Sequence, residues 1–404
     1  MSGSGETDGS APDLVNSGEI LSMIATGAAW SRAALLDGSG LSRATVAQRL
    51  NALIASGLVR QTARTVAKRG RPTYVLTVNE TAGFILTANI GEAYIHLAAI
   101  DSGLNVITDA KMPFRVPDGP AETLQHLAVA FSALVERARA THRFLLGISL
   151  SLPTPVDFKR GRVVGPSVLL GWDEFAIQDF LGERFGVPVY IENDVNLMAI
   201  HEHRERFPSV DDMVFIKAGT GIGSGIIANG RIYRGAQGAA GDVGHIQFDS
   251  DDAPLCRCGK FGCVEAHAAG WAIARDLAQM GIPAANARDV IELVDKQKPE
   301  AIMLLRKAGR VIGEAVSDIV SVLNPAAIVI GGTLARGGDF LLLGIRELVY
   351  QRCLPLATRE LTIMTVASPE HSAVLGAARL ALDDLFSPAK VDALIGRFDP
   401  LRAA

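Results

Sequence analysis

Cysteine is scarce in this 404-residue chain, and that scarcity excludes a disulfide framework. There are four, of which Cys256, Cys258 and Cys263 fall within eight residues while Cys353 stands alone. Such usage is expected of a reducing compartment, which places the chain in the cytoplasm. Long apolar runs are lacking as well: none approaches the ~20 uncharged residues that a membrane helix needs, so no membrane partner is expected. Met1–Pro12 is rich in Gly, Ser and Asp and carries no basic-plus-apolar leader. With 49% apolar and 20% charged residues the composition is that of a globular protein with ample core material, and the length predicts two or three domains.

A strong charge is missing from the whole but not from its parts. The formal net charge is −4. Residues 16–80 hold eight Arg or Lys against three acids, a local +5 that leaves −9 on the remainder. A basic module joined to an acidic body is the asymmetry of a nucleic-acid reader carrying a separate domain.

Residues 1–15 carry too little apolar surface to offset ordering and are expected to form a disordered tail. Asn16-Ser17-Gly18-Glu19 reads as a capping box before Ile20, Leu21 and Ile24. Ser31 is placed to cap a second short helix through Leu36, broken by Gly38-Ser39-Gly40. Ser42 caps a third, with Val46, Leu50, Leu53 and Ile54 on one face and Gly57 as its stop. The order is that of a helix-turn-helix or of a plain helical bundle. In the first reading Ser42, Arg43, Thr45, Gln48 and Arg49 are the residues that enter a major groove. Two β-prone runs follow, Leu58–Thr62 and Thr73–Val78, and from Arg60 to Arg71 there are five basic residues and no acid. This predicts a winged helix whose Arg69-Gly70-Arg71-Pro72 tip lays guanidinium groups into a minor groove, with a solvated hairpin tip as the alternative.

From Gly83 the pattern turns to strands, at Phe84–Ile90, Tyr94–Ile100 and Asn105–Phe114. A helix over Ala121–Ala140, a strand at Phe144–Leu150, a helix over Glu174–Phe185, a strand at Val187–Ile191 and a helix after Asp194 complete a first half. A second half begins near Met213, with a hairpin from Gly223 to Arg234 turning at Asn229-Gly230. Helical segments at Ala268–Ala278 and Ala301–Leu323 and a strand at Ala327–Ile330 follow, and helices at Ser372–Phe386 and Pro388–Phe398 close the chain. Asn193 and Asp194 fall at the carboxyl end of a strand, where open α/β sheets bind ligands, although both types also cap helices. The glycines of Gly219–Gly225 do not match dinucleotide spacing and suit a tight hairpin as well as an anion cradle.

The densest signal joins His245 to Cys256, Cys258 and Cys263. One imidazole and three thiolates make a complete tetrahedral set for a structural Zn²⁺; three buried apolar cysteines are the alternative. Gly-Asp-Val-Gly-His at 241–245 followed by Cys-x-Cys-Gly-x-x-Gly-Cys-x-Glu at 256–265 resembles the signature of the ROK family of repressors, open reading frames and sugar kinases. Leu-Ser-x-x-Thr-Val at 41–46 and Gly-Arg-Pro at 70–72 resemble the repressors of that family. The resemblance implies an α/β fold of two actin-like ATPase or sugar-kinase lobes behind a winged helix-turn-helix. Its domains would be 16–80 for DNA, then a body at 81–404, with lobe 1 at about 81–200 plus 372–404 and lobe 2 at about 201–371.

The resemblance further implies that the zinc shapes a sugar pocket built from Asn193, Asp194, Asp242, His245 and Glu265. Asp242 stands where the family motif has Glu, and Ser167 where many members have Asn. In the family's kinases an Asp-x-Gly-x-Thr hairpin supplies a metal-binding carboxylate and phosphate contacts, and the Asp matching Asp194 is the general base. The matching stretch here, Asn89-Ile90-Gly91-Glu92-Ala93, lacks both carboxylate and hydroxyl and sets Glu92 beside phosphate oxygens. The expectation is therefore no kinase activity. It is instead a sugar-responsive repressor of carbohydrate uptake or catabolism genes, acting on double-stranded DNA as a homodimer or tetramer. A kinase with a DNA-binding extension and a constitutive DNA-binding protein with a vestigial pocket are the alternatives.

Overall fold

The computed structural model describes residues 17–64, 73–91, 94–115, 118–142, 144–165, 169–248, 253–366 and 371–397. The expected tail at 1–15, the wing-tip Arg69 and Arg71, Glu92, Ala93 and Ser167 lie outside the described residues.

Three helices, α1 (Gly18–Ala25), α2 (Arg32–Ser39) and α3 (Arg43–Ala55), precede an antiparallel pair, β1 (Val59–Arg64) and β2 (Thr73–Val78). Ser31 and Ser42 cap as expected, their hydroxyls accepting from the amides of Ala34 and Thr45 at 3.2 Å. Asn16, the capping residue of the box expected at α1, lies outside the described residues; Ser17 makes no cap bond, and the Gly18 amide donates to Asp392 Oδ1 at 2.9 Å. Helix α2 runs on past Leu36 and stops at Gly40, whose φ of 65° is the left-handed value a helix end favours.

The body is two copies of one arrangement. In lobe 1, β3 (Gly83–Ile90), β4 (Tyr94–Asp101) and β5 (Val106–Pro113) form an antiparallel meander, followed by α4 (Gly119–Arg139) and β6 (Phe144–Leu152). A short hairpin, β7 (Val156–Asp157) and β8 (Arg162–Val163), leads to α5 (Ile177–Phe185), β9 (Val189–Asn193) and α6 (Asp194–Arg206). Lobe 2 repeats the meander in β10 (Met213–Ala218), β11 (Ile222–Ala228) and β12 (Arg231–Tyr233). Helices α7 (Val264–Ala268), α8 (Gly270–Gln279), α9 (Ala287–Asp295) and α10 (Pro299–Leu323) come next, then β13 (Ala327–Gly331), α11 (Asp339–Arg352), α12 (Pro355–Thr358) and β14 (Thr362–Thr365). The strand orders are β5-β4-β3-β6-β9 and β12-β11-β10-β13-β14, with the last two strands of each parallel to the first strand of its meander. The chain closes with α13 (Ser372–Leu385) and α14 (Val391–Arg397).

Asn229 and Gly230 turn the β11–β12 hairpin with φ of 51° and 70°, as a type I′ turn requires. The helix expected from Glu174 begins only at Ile177, because Glu174 has a φ of 59° that a right-handed helix cannot contain. Elements α9, α11 and β14 were not foreseen.

Period-two alternation divides the lobe 1 sheet cleanly. Phe84, Leu86, Ala88, Ile90, Ile95 and Leu97 bury on one face against Leu124, Leu127 and Phe131 of α4. Ile85, Ala98, Ile100 and Leu146 occupy the other, in one apolar core with Val374, Ala378 and Leu382 of α13, Val391 and Leu394 of α14, and Ile20, Leu21 and Leu50 of the N-terminal helices. The closing helices pack on lobe 1 as expected, and α14 also covers α1: a Cβ on Gly18 would stand 2.4 Å from Val391 Cγ1. The joint at Asn79 is equally tight. Its Nδ2 donates to the Gly57 carbonyl behind α3 at 2.7 Å, and its own carbonyl accepts from Ser102 Oγ of lobe 1 at 3.1 Å.

No helix among the described residues is long and apolar enough to cross a membrane. Because the module and lobe 1 share a core, we expect Leu21→Ala, which removes a fully buried side chain, to cost about 2–5 kcal/mol. Calorimetry should show the module and lobe 1 shifting together in one transition. A separate low-temperature transition for the module would contradict the shared core.

Candidate functional site

Strand β11 gathers the cleft. Its partner β10 holds Lys217, whose ammonium is ion-paired with Asp194 Oδ2 at the start of α6. The Ile222 amide donates to Glu265 Oε2 at 3.1 Å. Gly244, next to His245, lies so close to β11 that a Cβ there would be 2.1 Å from the Ile222 carbonyl oxygen. Gly241, next to Asp242, has a φ of 96° and would put a Cβ 2.2 Å from the Ser224 carbonyl oxygen. Asp194, Asp242, His245 and Glu265 thus sit around three consecutive residues of one strand.

Each of these side chains has a definite state. Asn193 caps α6, its Oδ1 accepting from the Val195 amide and its Nδ2 donating to the Thr154 carbonyl, both at 3.0 Å. The capping alternative therefore describes this side chain, with one lone pair and one hydrogen left over. Asp194 is buried and paired. Glu265 is buried, with one oxygen committed to β11. Asp242 is exposed and bonded to no described side chain. The Gly219–Gly225 stretch is likewise explained by packing: a Cβ on Gly225 would lie 2.7 Å from Ala199 Cβ of α6, and one on Gly221 2.7 Å from Glu265 Oε2.

Sequence reasoning missed three charged residues. Lys217 and Arg234 of lobe 2 both reach acids at the end of lobe 1, Arg234 Nε meeting buried Glu192 Oε2 at 2.6 Å. Glu192 Oε1 accepts from the Asn193 amide and Asn196 Nδ2, each at 2.9 Å, so its carboxylate is fully occupied. A lone lysine in the otherwise apolar Met213–Ala218 was the available signal. At the end of β3, Asn89 Oδ1 accepts from Ser151 Oγ at 2.7 Å, a bond that holds the amide inside lobe 1.

His245, Cys256, Cys258 and Cys263 bring one donor atom each within 4.8 Å of one another. Cys256 Sγ stands 3.7 Å from His245 Nδ1, and Cys258 Sγ 3.7 Å from Cys263 Sγ. Zinc holds sulfur at about 2.3 Å and nitrogen at about 2.0 Å, which at the tetrahedral angle sets two sulfurs about 3.8 Å apart and sulfur and nitrogen about 3.5 Å apart. The donor set fits. Gly259 and Gly262, with φ of 87° and 71°, turn the loop that makes it converge. Burial pushes the Cys263 thiol up to about 12, helped by its bonds to the neighbouring thiols, and raises Cys256 too. At Cys258 burial acts upward but is outweighed by hydrogen bonds from Lys260 and the other thiols.

On α3, where the DNA contacts were expected, Arg43 and Gln48 are exposed, Thr45 and Arg49 half-buried. The Ser42 and Thr45 hydroxyls lie 2.8 Å apart, so both are engaged at the start of α3.

We expect one zinc per chain by elemental analysis, lost in Cys263→Ala. Affinity should fall as pH is lowered, because protons then compete for thiols whose pKa burial has raised. Metal-free wild-type protein with three freely reacting thiols would contradict the assignment.

A family model described as the ROK family matches residues 85–384. The xylose repressor of Caldicellulosiruptor bescii is 27% identical over 86% of this chain and 90% of its own length. The DNA-binding transcriptional dual regulator NagC of Escherichia coli is 27% identical over 91% and 93%. Among solved structures, a ROK family transcriptional regulator described as a homolog of the E. coli MLC protein superposes with a TM-score of 0.80 at 24% identity, covering 95% of this chain and 99% of that one. A ROK family glucokinase from Streptomyces griseus, in complex with glucose and AMPPNP, superposes with a TM-score of 0.62 at 26% identity, over 74% and 99%. The matched span, the two lobes and the shared fold have one conclusion: the chain belongs to the ROK family.

Proposed function

We propose that the chain is a sugar-responsive transcriptional repressor that reads operator DNA through residues 16–80 and senses its ligand in the body, 81–404. The observation that carries this is coverage. NagC matches 91% of the chain, too much of it to leave out α3, whereas the glucokinase structure uses 99% of itself to match only 74%. The N-terminal module is what separates the two kinds of relative, and here it is fused to the body through a common core.

The sugar is held by Asp194, Asp242, His245 and Glu265, with Asn193 contributing its spare hydrogen. With Nδ1 of His245 turned to the zinc, Nε2 is left for a sugar hydroxyl. Zinc supplies structure only: four protein donors leave no open position. Phosphoryl transfer is not the role of this cleft. Asn89 brings no charge to a metal ion, and the Lys217 ammonium occupies an oxygen of Asp194 that a general base would need. Ligand that binds both lobes must favour one spacing of them, and the ion pairs Lys217–Asp194 and Arg234–Glu192 already bridge that gap. Sugar releases the operator by shifting this balance, with a coupling of about 1–3 kcal/mol.

Two tests follow from the groove and the cleft. Duplexes selected from a random pool should bind full-length protein, and Arg43→Ala should lose about 1–3 kcal/mol of discrimination at one base position. A uniform loss across all sequences would place Arg43 on phosphate instead. In thermal shift against xylose, glucose and N-acetylglucosamine, at least one sugar should stabilise the wild type and fail to stabilise Asp194→Ala. That sugar should weaken operator binding without being phosphorylated. ADP release above ~1 s⁻¹ would establish a kinase.

A further inference from the structure

A second cluster of ligating side chains lies away from the tetrad. His96 on β4, Asp109 on β5 and His371, the residue before α13, bring their donor atoms within 4.8 Å of one another. His96 Nε2 is 3.0 Å from Asp109 Oδ2, and His371 Nε2 is 3.9 Å from that same oxygen. The two imidazoles face each other with ring centroids 5.3 Å apart. We propose that these three residues bind a divalent first-row transition-metal ion.

The chemistry is that of two neutral imidazoles and one carboxylate, a facial set that suits nickel, cobalt, zinc or ferrous ion and leaves positions for water. Ligands held at about 2.1 Å on adjacent octahedral positions stand about 3.0 Å apart, the separation His96 and Asp109 already have. His371 has to close on Asp109 Oδ2 from 3.9 Å, and its side chain is 37% exposed and has room to move. His96 is fixed: it is 5% exposed and directly opposite Asn89 in the strand register. An aspartate is ionised at neutral pH, so Asp109 supplies the anionic ligand. The nearby cation, Lys111, is directed over the Tyr94 ring, 5.3 Å from its centroid.

The location gives the site a consequence. His371 immediately precedes α13, the helix that follows β14 of lobe 2, whereas His96 lies on β4 and Asp109 on the edge strand β5 of lobe 1. A bound ion would tie the return crossover to the lobe 1 sheet, on the face where Asn89 replaces the metal carboxylate of kinases.

The test uses full-length protein that keeps its tetrad zinc, dialysed to equilibrium against Ni²⁺ and assayed for both metals. One nickel per chain is expected in the wild type, with a raised melting temperature. Asp109→Asn should weaken nickel binding about tenfold or more, and His371→Gln should abolish it. The zinc content should be unchanged throughout. His371→Gln alters a partly exposed position and leaves the buried His96 in place, and its melting temperature without nickel checks that it folds. Nickel binding that is absent from the wild type, or equal in the wild type and both variants, overturns the proposal.

Discussion

Everything in this molecule depends on one apolar face of the lobe 1 sheet. Ile85, Ala98, Ile100 and Leu146 present it, and α13, α14 and the N-terminal helices all bury against it. Burial of this kind is non-directional, but packing at interior density allows few relative positions. Asn79 removes most of what freedom remains, bonding α3's end to the β4–β5 turn of lobe 1. Helix α3 is therefore an extension of lobe 1. Any motion of that lobe is a motion of α3.

The cleft is organised by a second constraint, the close approach of backbone to β11. Gly225, Gly241 and Gly244 each stand where a side chain would overlap α6 or β11 itself. These contacts hold the Asp242–His245 loop, α7 and the start of α6 around the same three residues. Charge then bridges the lobes: Asp194 and Glu192, both nearly buried, face Lys217 and Arg234. Removing one partner of such a pair leaves the other desolvated and uncompensated, so a ligand that displaces either cation must replace its hydrogen bonds.

Much of this was legible in the sequence. Consecutive strand-like runs with short polar breaks marked β3 and β4, an apolar run marked β6, Ser31 and Ser42 marked two helix starts, and Asn229-Gly230 marked a hairpin. The tetrad was visible because three of its donors lie within eight residues. What escaped has a common physical cause. Lys217 and Asp194 are 23 residues apart, and Gly18 and Asp392 are 374 apart; no local spacing announces such contacts. His96 and Asp109 share neighbouring strands, but their relation to His371 exists only once α13 has folded back. The helix misplaced at Glu174 failed for a local reason, a left-handed backbone that nothing in its residue type demands.

The central claim is that the cleft moves α3 by moving lobe 1 as a unit. Spin labels carried on unnatural residues at Gln48 of α3, Glu136 of α4 and Glu292 of α9 allow three distances to be read by electron–electron resonance, with and without the stabilising sugar. The account predicts that the 48–136 distance stays fixed while the 48–292 and 136–292 distances change together. A sugar-dependent change in 48–136, with 136–292 constant, would contradict it.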